Sequence, residues 1–394
     1  MGRRVLQLGG GVLMVRSIQK IQELGYEVFC VDMNPNAPAF PFANGSAAVN
    51  ISDVEGVGRY ADEINADVVL ALNDAGVLPA VYANKKRGLK CYDPEEVKYF
   101  TDKGFMRQRW KEHGVKQPEF FVCSNAEEIA AAVRKIGFPC IVKPCMMWGS
   151  RGVSKVNSEA DIAFATKFAM DNARGNRYIV EEFMDGVEVS IEGLFKDGKA
   201  YILAKADKEL QRHENYRVTV QINYEAALPD VVLKEIDALV SAAGKAMGFV
   251  SGALHAECMV TPQGVKMIEM AGRPGGGHIF GAIVESVSGV SMPQALTQIL
   301  LGEEIDPSAR FSRGACYKFF NAPDGIFQSV SGIEEAKNIP GVIDIGFTMN
   351  PGTVVHAMDH GANRPGFVVT QGENRNHAIE VAENAYQSLN FDMK

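Results

Sequence analysis

The sequence predicts an α/β protein with a parallel N-terminal sheet, a small strand–helix unit, a charged hairpin and a β-rich C-terminal part. Three observations support this prediction. Apolar strand segments alternate with helical segments over the first hundred residues, which is typical of a parallel sheet. Two acid-bearing strands form a hairpin that ends in three glycines at 275–277. Four strand segments and a closing helix follow from about residue 312.

Length and composition limit the class of protein. A chain of 394 residues predicts two or three domains. The net charge of −8 argues against a nucleic-acid partner and fits a cytoplasmic enzyme. We expect no signal peptide, because the start MGRRVLQLGGG reaches glycines almost at once. We expect no membrane partner, because no apolar run approaches the ~20 residues of a membrane span. The seven cysteines include no C-x-x-C pair, which indicates reduced core residues.

The first domain is expected to have four strands: RVLQL, YEVFCVD, DVVLAL and LKCY. Its first glycine turn and Asp32 are placed as in a dinucleotide-binding motif, but Met14 stands where the third glycine belongs. We interpret the domain as Rossmann-like without a required nucleotide. An NAD-dependent Rossmann oxidoreductase is the alternative.

A helical passage over 94–113 contains Lys103 and leads into two strand–helix pairs. The strand PCIVKP carries Lys143 and is followed by a loop with four residues suited to phosphate oxygens: Gly149, Ser150, Arg151 and Gly152. No Walker A motif is present, and an ordinary glycine hairpin turn is the alternative.

The strand YIVEEF ends in residues whose backbone groups are suited to an adenine edge: Glu181, Glu182 and Phe183. Glu188 follows the turn at 185–186, where a carboxylate can accept hydrogen bonds from ribose hydroxyls. The polar segment 205–224 is predicted to be an irregular, substrate-facing loop.

Two strands then bring charged residues together. Glu269 and Arg273 share one face of an extended segment, and His255 and Glu257 share a face of the preceding strand. Two carboxylates suit Mg²⁺ bound to phosphates, and an arginine suits an anion. The alternative is a surface hairpin with an exposed salt bridge.

In this order, the motifs resemble the ATP-grasp superfamily of carboxylate–amine ligases. The resemblance rests on Lys103, on Lys143 before a glycine loop, and on EEF-x-x-G-x-E, H-x-E and E-x-A-x-R, and it covers essentially the whole chain. It implies a Rossmann-like pre-ATP-grasp domain over 1–102 and an ATP-grasp core over 103–310, with an α+β lid at about 123–185 and a mixed sheet. A C-terminal β-rich part would cover 311–394.

The resemblance also implies a role for each site residue. The ATP-binding set would be Lys103, Lys143, the loop 149–152, Glu181 to Met184, Glu188 and His255. Glu257 and Glu269 would bind one or two Mg²⁺ ions, with Mn²⁺ as an alternative. Arg273 and Lys143 would act in catalysis. Many family members have E-x-N-x-R where this chain has Ala271, so a second metal site is expected to be weaker.

The implied reaction activates a carboxylate as an acylphosphate with Mg-ATP and joins it to an amine, releasing ADP and phosphate. The segment R-P-G-G-G-H and the closing RPGFVVTQG resemble the L-amino acid ligases, which form dipeptides, so an amino acid is the expected amine. Within the superfamily, a purine-biosynthesis-type enzyme, a biotin-carboxylase-like enzyme and a catalytically silent ATP-binding homologue are the alternatives. The partners would be small molecules, and a homodimer is compatible with the family.

Overall fold

The computed structural model describes residues 2–147, 151–212, 217–355 and 364–394. Within these ranges the backbone forms four β-sheets. No single helix in the described residues is long and apolar enough to cross a membrane. Among the described helices, one bent pair, Ile279–Ser288 with Met292–Leu300, is long and apolar enough when its two members are taken together.

The N-terminal unit is a parallel sheet, as predicted. Its strands are β1 (Arg4–Leu8), β2 (Glu27–Asp32), β3 (Gly45–Ala48) and β4 (Val68–Ala71). They lie in the order β3-β2-β1-β4. The helices are α1 (Val15–Gln22), α2 (Val54–Glu63) and α3 (Asp74–Lys86). The strands supply two hydrophobic clusters, one on each face, as expected for a parallel sheet covered by helices.

One predicted strand of this unit is wrong. The segment LKCY at 89–92 forms no strand, and β3, with the sequence GSAA, occupies the edge of the sheet instead. Cys91 and Tyr92 are buried in the main core, which explains their apolar pattern without a strand. The real edge strand consists of small, partly exposed residues and has no apolar signal.

Two helices, α4 (Val97–Thr101) and α5 (Lys103–Glu112), lead to a small antiparallel sheet. Its strands are β5 (Phe120–Cys123), β6 (Cys140–Pro144), β7 (Ser154–Val156) and β8 (Tyr178–Glu182), in the order β5-β8-β6-β7. The helices α6 (Ala126–Ile136) and α7 (Ile162–Asp171) pack on it and give it a separate hydrophobic core. This unit lies where the lid is predicted.

The central sheet has eight antiparallel strands. They are β9 (Val187–Lys196), β10 (Lys199–Arg212), β11 (Arg217–Tyr224), β12 (Gly252–Thr261), β13 (Gly264–Ala271), β14 (Gly314–Phe319), β16 (Val342–Phe347) and β18 (Gly366–Gly372). Their order is β13-β12-β9-β10-β11-β14-β18-β16. Helices α8 (Asp230–Ala246) and α12 (Arg375–Gln387) pack against this sheet.

The prediction of an irregular loop over 205–224 is wrong. The described part of this segment belongs to β10 and β11, two interior strands of the central sheet. Its polar residues are partnered by the packed helices: Lys205 contacts Asp237 on α8, and Asp207 contacts Arg375 on α12. A strand is normally recognised because apolar and polar residues alternate along it. Here the face that packs on the helices carries paired polar residues instead of apolar ones, so that alternation is absent.

The remaining elements complete the C-terminal half. A π-helical turn (Ile279–Ile283) precedes α9 (Val284–Ser288), and α10 (Met292–Leu300) follows. The short helix α11 (Ile333–Lys337) and a small sheet of β15 (Gly325–Ser331), β17 (Val354–Val355) and β19 (Asn390–Met393) lie at the far end. The predicted C-terminal strands β14, β16 and β18 are present and extend the central sheet.

Candidate active site

Cross-strand register places the predicted acidic residues on one face of the central sheet. Glu257 on β12 lies opposite Glu269 on β13, and His255 lies opposite Glu192 on β9. Because side chains alternate along a strand, Glu188 and Glu192 on β9 point to the same side. The face also carries Lys208, which contacts both Glu188 and Glu257. The structure therefore brings together the acids and His255 that the sequence singled out.

Each predicted metal carboxylate is paired with a lysine. Lys103 Nζ lies 3.1 Å from Glu269 Oε2, and Lys208 forms an ion pair with Glu257. Burial opposes ionisation of both acids. For Glu257, the charges of Lys208 and His255 outweigh burial and lower its pKa. For Glu269, Lys103 has the larger effect, against repulsion from Glu257, and its pKa is also lowered.

These two acids fit a magnesium ion by their chemistry. Both are held ionised, they face each other across one hairpin, and Mg²⁺ prefers a few carboxylate oxygens supplemented by phosphate oxygens and water. Among the described residues, no group of three His, Cys, Asp or Glu side chains is arranged to hold a metal ion. A metal here would thus depend on oxygen atoms that arrive with the nucleotide.

Lys103 is the first residue of α5 and points back to the hairpin. Its Nζ donates a hydrogen bond to the Met147 carbonyl (2.8 Å), two residues before the predicted phosphate loop. Burial alone would lower its pKa, but the carboxylates of Glu269, Glu181 and Glu257 outweigh this effect and raise it. Lys103 is a protonated cation between the metal acids and the loop.

The phosphate loop is described only in part. Gly149 and Ser150 lie outside the described residues, and their predicted role stays a prediction. Arg151 is exposed, whereas Gly152 is buried with a φ of +73°. A β-carbon at Gly152 would lie 2.9 Å from Pro144 Cγ, so only glycine fits this turn without movement.

Lys143 and Glu181 form a buried ionic cluster with Arg107. Lys143 Nζ lies 2.6 Å from Glu181 Oε2, and Arg107 Nε lies 2.7 Å from Glu181 Oε1. Burial would raise the pKa of Glu181, but the two cations lower it to about 2. Burial and the neighbouring cations lower the pKa of Lys143, against the attraction of Glu181. The Glu181 side chain is thus paired inside the protein, and its backbone lies in β8 between β5 and β6, so the structure does not leave Glu181 free for the predicted adenine contact.

We expect Arg107→Leu to lower the free energy of unfolding by about 3–5 kcal/mol, because it leaves a buried carboxylate with one cation fewer. Urea unfolding at neutral pH measures the change. Arg134→Leu, which removes an exposed arginine paired with Glu159, is the matched control and should leave stability unchanged. Equal losses in the two variants would contradict the assignment of the buried cluster as a structural element.

The next predicted residues lie at the end of β8. Glu182 is paired with Lys266 on β13 (Oε2 to Nζ, 2.9 Å), which links the small sheet to the acid hairpin. The Lys155 ammonium lies 4.4 Å from the centre of the Phe183 ring, and Met184 is half-buried. Glu188 Oε1 lies 2.5 Å from Lys208 Nζ.

Lys208 was missed by sequence reasoning. It lies in the segment interpreted as a loop. The sequence alone does not show that this residue faces Glu188 on β9 and Glu257 on β12. Burial would lower its pKa, but Glu188 and Glu257 raise it well above the ordinary value. Lys208 therefore connects the predicted ribose acid to a predicted metal acid.

His255 belongs to a second buried pair. Its Nδ1 lies 2.5 Å from Glu192 Oε1, and Glu192 Oε2 accepts a hydrogen bond from the Gly275 amide (3.0 Å). Burial opposes protonation, but Glu192 and Glu257 raise the pKa of His255 to about 9. A β-carbon at Gly275 would lie 2.4 Å from Glu192 Oε1. The first glycine of the run thus allows close approach to an internal carboxylate, not directly to a ligand.

Arg273 is held by a residue from the N-terminal unit. Its Nε and Nη2 atoms donate to the two carboxylate oxygens of Asp74 at 3.1 and 3.0 Å, and Nη1 donates to the Pro274 carbonyl at 2.9 Å. Burial would lower the pKa of Arg273, but Asp74 raises it. Asp74 is the first residue of α3 and had no sequence signal as a partner.

The carboxylate of Asp32 is hydrogen-bonded to backbone amides, one of them in the N-terminal glycine turn. Asp32 Oδ2 accepts a hydrogen bond from the Gly10 amide (2.8 Å), and Asp32 Oδ1 accepts one from the Asn34 amide (2.9 Å). An oxidoreductase would need this carboxylate for the ribose of a dinucleotide. The arrangement favours a structural turn here.

Comparisons with known proteins agree with this geometry. Residues 136–281 match the model of an ATP-grasp domain, and residues 318–394 match the model of L-amino acid ligase C-terminal domain 2. The chain is similar to formate-dependent phosphoribosylglycinamide formyltransferase of Burkholderia pseudomallei, with 34% identity over 195 residues, which cover 46% of each protein. The chain therefore spans about half the length of the curated relatives it matches.

Solved structures are similar over nearly the whole chain. An L-amino acid ligase from Bacillus licheniformis has a TM-score of 0.85 at 20% identity, covering 100% of this chain and 99% of that one. The biotin carboxylase domain of 2-oxoglutarate carboxylase from Hydrogenobacter thermophilus, in complex with MgADP, has a TM-score of 0.77 at 17% identity, covering 100% and 91%. These likenesses show the fold, a Rossmann-like domain followed by an ATP-grasp fold.

Proposed function

We propose that this chain, which belongs to the ATP-grasp superfamily, is an ATP-dependent ligase that joins a carboxylate to an amine, with an amino acid as the expected amine. The supporting observation is the row of ionised groups on one face of the central sheet. Lys103, Glu269, Glu257, Lys208 and Glu188 follow one another in a row of three carboxylates and two lysines, in which the two facing acids lie between the lysines. Such a row suits a polyphosphate with its metal at one end and a ribose at the other.

The residues of this row have separable tasks in the proposed reaction. Glu257 and Glu269 would hold one or two Mg²⁺ ions, Lys103 and Lys143 would bind phosphate oxygens, and Glu188 would bind the ribose. When bound, Mg-ATP supplies the phosphoryl group that makes the carboxylate an acylphosphate, and the metal offsets repulsion between the two anions. An amine then displaces phosphate from the acyl carbon.

Before a nucleotide binds, each of the two facing acids is paired with a lysine: Glu269 with Lys103 and Glu257 with Lys208. Lys103 and Lys208 keep two facing carboxylates ionised in a buried site, so neither acid must lose a proton when a metal binds. The protonated His255, anchored by Glu192, adds a third positive charge beside Glu257. The small sheet carries Lys143 and the glycine loop, and as a lid it would keep water from the acylphosphate.

The test is Mg²⁺-dependent ADP release across a panel of carboxylates and amines, with mass spectrometry of the products. A product whose mass equals the two substrates minus water identifies the ligation and both partners. The absence of ADP release for every pair, despite ATP binding, would favour a catalytically silent homologue, for which Ala271 is the sequence feature.

A purine-biosynthesis-type reaction is the second candidate, favoured by the similarity to a formate-dependent phosphoribosylglycinamide formyltransferase. Including formate with phosphoribosylglycinamide in the panel tests it directly. A biotin-carboxylase-like reaction is less favoured, because Arg273 is followed by Pro-Gly-Gly-Gly where those enzymes carry an acid. A cytoplasmic location is part of the same proposal.

A further inference from the structure

Glu192 on β9 is a charged residue of the site that the proposed reaction does not use directly. Its side chain is fully buried, and a buried carboxylate is rare unless it is paired. It points to the same face as Glu188, because the two residues lie four apart on one strand. A side chain with no accessible surface cannot touch a nucleotide or a substrate. The position of Glu192 in the site therefore needs another explanation.

The two carboxylate oxygens of Glu192 contact groups from different elements. Oε1 lies 2.5 Å from Nδ1 of His255 on β12, and Oε2 accepts a hydrogen bond from the Gly275 amide at 3.0 Å. An ionised carboxylate only accepts hydrogen bonds, so the His255 ring donates at Nδ1. Cross-strand register agrees with the first contact, since His255 lies directly opposite Glu192. One buried side chain therefore joins the strand of the metal acid Glu257 to the turn after β13.

The turn that Glu192 holds also carries Arg273. The strand β13 ends at Ala271, so sheet pairing no longer fixes the backbone at Arg273. Asp74 holds the guanidinium from the side of the N-terminal unit. Glu192 holds the backbone two residues further on, at Gly275, from the side of the central sheet. The position of Arg273 relative to the central sheet thus depends on the contact between Glu192 and Gly275.

The space beside Glu192 admits only a glycine at position 275. A β-carbon at Gly275 would lie 2.4 Å from Oε1 and 2.8 Å from Oε2 of Glu192. The carboxylate cannot move aside without losing its partners, because both oxygens are engaged in a buried position. At the neighbouring Gly276, a β-carbon would meet no atom within 4 Å. The φ angles of both glycines lie outside the left-handed region, so the contact with Glu192, and not the backbone conformation, requires glycine at 275.

We propose that Glu192 is a positioning residue, which fixes the turn after β13 against β12 and thereby sets the distance of Arg273 from the metal acids. This inference rests on the proposed ligase function. In that reaction a phosphoryl group passes from a metal-bound phosphate to a carboxylate, and a misplacement of about 1 Å can cost on the order of a hundred-fold in rate. Glu192 touches neither reactant and acts only through Gly275 and His255.

The central experiment substitutes alanine for each of the two neighbouring glycines, in assays with the carboxylate and amine that the ADP-release screen identifies. Gly275→Ala is expected to lower kcat/KM for the carboxylate about thirty-fold or more, because the methyl group displaces either Glu192 or the turn. The dissociation constant for MgADP should change less than about three-fold, since the groups proposed for the ribose and the phosphates lie on other elements. Gly276→Ala is the matched control and should keep wild-type kcat/KM.

Glu192→Asp tests whether the alanine acts through the carboxylate. Aspartate is one methylene shorter, so it leaves room for a β-carbon at 275 but weakens both contacts, and it should lower kcat/KM about ten-fold by itself. In the Glu192→Asp background, Gly275→Ala should cost less than about three-fold more, because residues in contact are not additive. A full additional thirty-fold loss would show that the alanine acts elsewhere, and would overturn the role of Glu192.

Glu192→Gln separates positioning from stability, and it serves if the alanine variant fails to fold. A carboxamide has one acceptor oxygen and one donor group, so it can satisfy only one of the two donors that Glu192 accepts. We expect kcat/KM to fall about ten-fold in assays well below the melting temperature, where the enzyme is folded. A residue that only stabilises the fold would lower the melting temperature and leave kcat and KM of the folded enzyme unchanged.

The outcomes separate the two proposals. Wild-type kcat/KM in Gly275→Ala and Glu192→Gln, or equal losses in Gly275→Ala and Gly276→Ala, overturns the positioning role of Glu192, while ADP release by the wild type still supports the ligase. No ADP release by the wild type with any pair overturns the ligase itself, and the role of Glu192 with it. A loss confined to Gly275→Ala and the Glu192 variants, with MgADP affinity retained, supports both.

Discussion

Glu269→Gln is expected to reduce kcat/KM about a thousand-fold, on the order of 4 kcal/mol of transition-state stabilisation. Glu269 supplies one of only two carboxylates on the charged hairpin, and its low pKa keeps it available as an anionic metal ligand. Glutamine keeps the size and one oxygen atom but removes the charge. Steady-state ADP release at saturating Mg²⁺ measures the loss.

A matched control lies on α8, a helix that packs against the same sheet. Glu235 on α8 is paired with Lys116 at 3.0 Å, nearly the same as the 3.1 Å between Glu269 and Lys103, but it lies at the surface away from the site. Glu235→Gln should retain full activity. A binding readout is independent of turnover: Mg²⁺ should strengthen ADP binding to the wild type and not to Glu269→Gln. Retained activity, or an unchanged Mg²⁺ effect on ADP affinity, would remove Glu269 from the metal site.

The acid hairpin could be predicted from the sequence because its information is local. Glu257 and Glu269 are joined by a short turn, so strand alternation alone brings them to one face. His255 precedes Glu257 by two residues and shares that face for the same reason. In the N-terminal sheet, the strands that are apolar runs, such as β1 and β2, could be predicted in the same way. The edge strand β3 could not, because it consists of small residues.

The partners of the site residues could not be predicted, because they come from distant parts of the chain. Asp74 and Arg273 are 199 residues apart, and Glu192 and His255 are 63 apart. No local pattern marks an acid that will meet an arginine of another domain. Lys208 was missed for a different reason, because its strand carries polar residues on both faces. On the face opposite Lys208, Lys205 and Asp207 form ion pairs with residues of the packed helices.

Arg273→Ala is expected to lower kcat/KM by about a hundred- to a thousand-fold, comparable to the removal of an oxyanion donor. The proposed role is to hold the transferred phosphoryl group or the substrate carboxylate. The bidentate pair with Asp74 raises a rival explanation, in which Arg273 only fastens the N-terminal unit to the glycine turn. The two explanations predict different behaviour when Asp74 is changed.

Asp74→Asn distinguishes them because it removes the charge of the partner and leaves the arginine in place. If Arg273 acts on the substrate, Asp74→Asn should cost less than ten-fold, and Arg273→Lys should stay strongly impaired because an ammonium cannot bind an anion in two parallel hydrogen bonds. If Arg273 is only a structural link, the two charge-removing variants should lose activity and thermal stability equally. Steady-state kinetics and melting temperatures of all three variants decide between the two explanations. Only a catalytic arginine predicts a large loss of activity in the Arg273 variants that is not matched by their loss of thermal stability.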